Sequence, residues 1–142
     1  MGLENITFLE DEATADIAFL AKGKNIDEAF ANAGIALFHV IVDNENIKRK
    51  IEVKQRWEAE DLKGLLYDYL NDLIFLFDTK KILLGEINAK IYQEKKNNYI
   101  LEIIGLGEKY NPKTHQAKTH IKAMTFFGME ISENSVKVTL DI

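Results

Sequence analysis

The chain has 142 residues, close to the roughly 150 of an average domain, and is expected to form one compact domain over residues 1–142. It has no cysteine, which excludes a disulfide scaffold, a thiolate nucleophile, a Cys-ligated zinc and an iron–sulfur cluster. Eighteen basic residues against 23 acidic give a formal net charge of −5, and only Arg49 and Arg56 are arginines, so strong direct nucleic-acid binding is not expected. No unbroken apolar run exceeds that from Leu73 to Phe77, far below the roughly 20 residues that span a bilayer. The start, Met1-Gly2-Leu3-Glu4-Asn5, lacks the basic and apolar regions of a signal peptide, so the expectation is a cytoplasmic protein without membrane segments.

Ile6 to Leu9 and Ile17 to Ala21 read as two short strands around an acidic turn, Glu10-Asp11-Glu12. Lys22-Gly23-Lys24 punctuates the chain, and Asn25 with Glu28 three residues on predicts a helix start of the capping-box kind. Phe30, Ala33, Leu37, Val40 and Ile41 then recur at helical spacing, carrying the helix to about Val42. Ile47, Ile51 and Val53 lie in a lysine-rich, β-branched stretch that reads as a strand.

Leu62, Leu65, Leu66, Tyr69, Leu70, Leu73, Ile74 and Phe77 follow the i, i+3, i+4, i+7 pattern and predict a core-forming helix, with Glu58, Glu60 and Asp61 near its start. Ile87, Ala89 and Ile91 alternate, Lys95-Lys96-Asn97-Asn98 reads as a hairpin turn, and Tyr99, Leu101 and Ile103 alternate back. A polar connection is expected from Gly105 to Thr119, around the single proline, Pro112. A strand from Ile121 to Phe127, a second piece from Met129 to Ile131, a turn at Glu133-Asn134-Ser135 and a last strand from Val136 to Ile142 complete the chain. Grouped rather than alternating elements predict an α+β fold, with a mostly antiparallel or mixed sheet packed with two helices.

Signatures of dinucleotide, P-loop, nucleophile-elbow and zinc-protease chemistry are all missing. His39 reads as a packing or helix-end residue, whereas His115 and His120 flank a lysine-bearing loop and are expected to be partly exposed. Asp16 precedes an apolar strand, and Asp141 lies in a strand that stays apolar to Ile142, which suggests a docked terminus. Asp16, Asp141 and the terminal carboxylate of Ile142 would make an oxygen-only site suited to Ca²⁺, Mg²⁺ or Mn²⁺. The plainer reading is that each aspartate caps a strand or faces water.

Several blocks in order resemble the archease family. Ala13-Thr14-Ala15-Asp16-Ile17 is similar to its N-terminal signature His-Thr-Ala-Asp-Ile, and Asn25 through Phe30 resembles the start of its first helix. Glu60-Asp61-Leu62 through Phe77-Asp78-Thr79 resembles its second helix. Gly107-Glu108, Tyr110 through His115 and Lys118 through Thr125 look like its long loop and following strand, and Leu140-Asp141-Ile142 resembles its Asp-Ile terminus. Two positions depart from the pattern: Ala13 stands for the signature histidine, and Phe126-Phe127 for an aromatic-His pair. His120 also takes a position that is usually acidic.

The resemblance implies a compact α+β domain that assists the tRNA-splicing ligase, which joins RNA 3′-phosphate or 2′,3′-cyclic phosphate ends to 5′-hydroxyl ends. It implies a non-catalytic cofactor that promotes guanylylation of the ligase with GTP and multiple turnover. It also implies a divalent metal on Asp16, Asp141 and Ile142. Glu108, His115, Lys118 and Lys122 are the candidate partner contacts, because polar loop residues on a rigid scaffold often serve binding. Two rivals compete: a metal-dependent phosphohydrolase using Asp16 and Asp141, and a chaperone-like protein-binding module in which metal only ties down the C-terminus.

Overall fold

The structure is a computed structural model and describes residues 3–9, 16–43 and 46–142. The acidic turn at Glu10-Asp11-Glu12 and the signature positions Ala13, Thr14 and Ala15 lie outside the described residues. A short 3-10 turn, Leu3–Asn5, leads into strands β1 (Ile6–Leu9) and β2 (Asp16–Lys22), then helix α1 (Ile26–Ile41) and strand β3 (Ile51–Ala59). Helix α2 (Leu62–Lys80) follows, then β4 (Ile82–Lys95), β5 (Asn98–Lys109), β6 (Ala123–Ile131) and β7 (Ser135–Asp141).

The strands form two sheets, ordered β1-β2-β7-β6 and β3-β5-β4, and every pairing between named strands is antiparallel. The α+β expectation holds, but the one sheet is two, and nothing in it is mixed. The split follows from long-range pairing. β2 lies beside β7, from the far end of the chain, so the middle strands must pair among themselves.

Helix α1 packs against β2 and β7 on one side and β4 on the other. Twelve of its sixteen residues are therefore buried, and a helix so enclosed must be apolar nearly all round. Asn25 caps it by accepting from the Glu28 N–H at 2.9 Å. Glu28 returns its carboxylate to the Lys24 N–H rather than to Asn25, so the capping box is displaced by one residue. Asn32, buried in the helix, donates to the Lys22 carbonyl at 2.7 Å and ties α1 to the end of β2. Gly34 is required by packing. A Cβ there would stand 2.6 Å from Ile87 Cδ1 and collide with the Tyr69 hydroxyl.

Helix α2 buries the predicted face, Leu65, Leu66, Tyr69, Leu70, Leu73 and Ile74, against β3, β5, β6 and α1. Tyr69 sends its hydroxyl to the Phe30 carbonyl at 2.9 Å, and burial pushes its phenol well above the ordinary range. The helix begins at Leu62, where its apolar pattern starts. Asp61 is the cap, accepting from Gly64 N–H, while Glu58 belongs to β3 and pairs with Arg56 at 3.1 Å.

Two further expectations are corrected. The strand expected at Ile47 begins at Ile51 and runs on to Ala59, with Ile47 a buried residue ahead of it. The polar connection begins after Lys109, because β5 continues through Gly105 and Gly107. A Cβ at Gly105 would stand 2.6 Å from Leu84 Cδ1, and one at Gly107 would collide with the Leu83 carbonyl. Glycine marks close approach of β4 here, not a loop.

β6 carries an irregularity. Thr125 faces Thr139 and Glu130 faces Lys137, so four β6 residues oppose the single Val138 of β7. Gly128, at φ +65°, turns the bulge. Phe126 stacks on Tyr67 of α2 with ring centroids 4.3 Å apart, whereas Phe127 is 73% exposed.

Candidate functional site

β2 and β7 run antiparallel with Asp16 directly opposite Asp141, and the next pair, Ile17 with Leu140, belongs to the packed apolar face. Side chains alternate along a strand, so the two aspartates project together from the opposite face. Asp141 is also opposite Ala123 of β6. Ile142 packs partly against the core, and the Lys122 N–H donates to the Asp141 carbonyl at 2.8 Å. The end of β7 is thus fixed from both sides.

Directly opposed carboxylates repel. With Cβ atoms about 5 Å apart, the cost is on the order of 1 kcal/mol in water. Among the described residues no side chain forms an ion pair or hydrogen bond with either aspartate. A pair of opposed hard oxygen donors, uncompensated among the described residues, is of the kind a divalent cation such as Ca²⁺, Mg²⁺ or Mn²⁺ takes. The described residues hold no cluster of three or more Asp, Glu or His side chains arranged for a metal, so these two aspartates stand as a pair.

Asp16 also lines an open depression of about 350 Å³, with Phe8, Ile17 and Val40 as apolar wall and His39 and Lys118 as polar rim. Lys118 is anchored here. Its ammonium donates to the His39 carbonyl at 3.1 Å, and its backbone N–H donates to the Ile41 carbonyl at 2.8 Å. A cation on the last carbonyls of a helix is favourable against the macrodipole. With the bridge between Val42 and Ala117, these bonds dock the segment before β6 onto the C-terminal end of α1. His39, expected as a packing or helix-end residue, also borders the depression that holds Asp16, and the contact between segments 79 residues apart is what sequence spacing did not reveal.

Glu108 and His115 come together, but below the surface. His115 is 1% exposed and Glu108 8%, so the expectation that His115 is partly exposed is corrected, and neither side chain offers a surface contact. His115 Nδ1 accepts the Asn111 N–H at 2.8 Å, which puts the ring proton on Nε2, and that N–H donates to Glu108 Oε2 at 2.8 Å. The Lys48 N–H also donates to Glu108 Oε2, at 2.7 Å, and Lys50 Nζ lies 3.8 Å from Oε1. Burial alone would raise the Glu108 pKa. The Lys48 N–H, the His115 hydrogen bond and the nearby Lys50 ammonium outweigh it and hold the carboxyl below the ordinary glutamate range. The pair is a clasp that holds the loop after β5. Lys122 and His120 are exposed, and Lys122 meets Asp141 through its backbone N–H alone.

A model of the Archease protein family (MTH1598/TM1083) matches residues 8–142. Protein archease of Methanosarcina mazei is 34% identical over 135 residues, covering 92% of each chain. Protein archease of Pyrococcus furiosus is 39% identical over 120 residues, covering 84% of each. The solution structure of Methanobacterium thermoautotrophicum protein 1598 matches with a TM-score of 0.77 at 29% identity, covering 98% of this chain and 99% of that one.

Proposed function

This chain belongs to the archease family, and from that premise we propose that it activates the tRNA-splicing ligase that joins RNA 3′-phosphate ends to 5′-hydroxyl ends. It acts as an accessory protein, promoting guanylylation of the ligase and its repeated turnover, with a divalent cation bound by Asp16, Asp141 and the carboxylate of Ile142. The observation that carries this reading is the cross-strand opposition of Asp16 and Asp141, with no neutralising side chain among the described residues. A bound divalent ion would supply positive charge that offsets and orients phosphate oxygens.

The chain's own residues divide the remaining work. Asp16 and Asp141 bind, and the fixed end of β7 orients them. Lys118 and the Glu108–His115 clasp hold the segment before β6 in place, and the backbone of that segment ties the end of β7 through the Lys122 N–H. A net charge of −5 suits contact with a ligase centre that carries metal and substrate, and not a direct grip on RNA.

The test is multiple-turnover RNA ligation by the same organism's splicing ligase, with GTP and Mn²⁺, with and without this protein. Stimulation by the wild type that Asp16→Ala abolishes is the expected result. Absence of stimulation by a folded protein, with the ligase active alone, would overturn the reading. Metal-dependent hydrolysis of a phosphate ester by the protein alone, lost in Asp16→Ala, would make it an enzyme instead.

A further inference from the structure

β3 is the outer strand of the three-stranded sheet. It pairs with β5 over nine consecutive positions without a register shift. Among the described residues no backbone hydrogen bond reaches its other edge. It contains neither glycine nor proline, so nothing bends the edge or removes a donor. A straight edge about 30 Å long is a template for another strand.

The two faces of β3 differ. Glu52, Lys54, Arg56 and Glu58 alternate with Ile51, Val53, Gln55 and Trp57, the side on which Trp57 packs into the core. Trp57 Nε1 donates to Asp72 of α2 at 2.7 Å, and a groove of about 310 Å³ opens there between strand and helix. Gln55, Trp57, Phe75 and Leu76 line it, and Phe75 is 64% exposed. Ile51, on the same face at the start of the strand, is 37% exposed.

We propose that β3 is a dimerisation edge, occupied by β3 of a second copy of this chain running antiparallel about a twofold axis at Lys54. In that register each residue faces the one equally far beyond Lys54. Glu52 faces Arg56 of the second copy and Lys50 faces Glu58, each pair occurring twice by symmetry. Moving the axis to Gln55 sets Glu52 against Glu58 and Lys54 against Arg56, all repulsive. An axis at Val53 sets Lys50 against Arg56, and one at Arg56 sets Glu52 against Glu60. Among axes at Val53, Lys54, Gln55 and Arg56, the one at Lys54 alone opposes unlike charges at both flanking positions. The two Lys54 side chains meet on the axis, each with its own Glu52 at 3.8 Å.

The same register brings the apolar side into agreement. Ile51 of the second copy comes beside Trp57, and its Val53 beside Gln55, over the groove that Phe75 and Leu76 complete. The exposed Ile51 of each copy and the open groove of the other cover one another, and two three-stranded sheets become one of six strands.

Because the chain has no cysteine, single-thiol variants read the register directly. In Lys54→Cys the two thiols face each other across strands whose directly opposed Cα atoms lie about 4.5–5.5 Å apart, within disulfide range. Under mild oxidation this variant is expected to form a covalent dimer at least tenfold faster than Glu58→Cys, whose thiol faces Lys50. Sedimentation of the wild type should show a concentration-dependent dimer. Glu52→Arg should raise its dissociation constant at least tenfold, and adding Arg56→Glu should restore it. A wild-type protein that stays monomeric at millimolar concentration would overturn the proposal. So would equal cross-linking of the two cysteine variants, or a dimer indifferent to the charge reversal.

Discussion

Two carboxylate sites of this protein invite comparison, the clasp at Glu108 and the pair Asp16–Asp141. Glu108 is met by the Lys48 N–H, by the Nε2–H of His115 and by the ammonium of Lys50, so its charge is answered by the chain itself. Asp16 and Asp141 face one another with no such donors among the described residues. A carboxylate satisfied internally holds structure together, and removing it harms folding. A carboxylate pair left opposed costs stability until something from outside joins it. The two sites should therefore respond oppositely to the same kinds of change.

The largest effect is expected at the clasp. Glu108→Ala leaves the Lys48 N–H and the His115 Nε2–H buried without an acceptor, which should cost about 3 kcal/mol in urea unfolding and roughly 10 °C in melting temperature. Backbone amides from Asn111 to Lys118 should lose exchange protection in the same variant. A loss under about 1 kcal/mol would show that the clasp is not what holds the loop.

At the aspartate pair the sign should depend on metal. In chelator, Asp16→Asn removes a repulsion and should stabilise the fold by about 1 kcal/mol. With Ca²⁺ or Mn²⁺ at 100 times the dissociation constant, the wild type should gain about 2.7 kcal/mol that the variant does not. Calorimetric melting under both conditions checks this, and a variant less stable than wild type in chelator would erase the contrast between the sites.

Acid separates them more finely. The Glu108 carboxyl lies below its ordinary value in the fold, so its contribution is complete above the unfolded-state value of about 4.3 and is lost as pH falls through the lower, folded one. Wild type should lose stability over that acid window, and Glu108→Gln should show a shallower slope in pH-dependent urea midpoints. The smallest effect is expected at Lys118→Met, which removes an ammonium from the His39 carbonyl and should cost about 0.5 kcal/mol.

What could be read from the residues and what could not divide along physical lines. The cap at Asn25 and the eight-position apolar face of α2 depend on neighbours a few residues away, and both stand where the pattern put them. The strand pieces on either side of Gly128 were legible because a turn residue interrupts an apolar run, although the four-to-one count against Val138 was not. Gly105 and Gly107 read as loop residues because glycine has two uses, and only the neighbouring β4 backbone decides between them. The division into two sheets depends on β2 finding β7, which no local pattern encodes. At the site, the residue types of Asp16, Asp141 and Ile142 point to one oxygen-only set, whereas the direct opposition of the two aspartates is a matter of register. Glu108 and His115 carried polar labels without any sign that they bond each other beneath the surface.

The bulge in β6 has a consequence for growth. A sheet extends only where an edge offers an unbroken ladder, and β6 interrupts its own with the Phe126-Phe127-Gly128 protrusion. β1 is four residues long, and β4 is broken by two register shifts and has the N–H of Ile91 taken by Asp27. That leaves β3 as the single straight margin among the described strands. Molecules with two such margins can polymerise into ribbons; one with a single margin can join only once, and its assembly terminates where it begins.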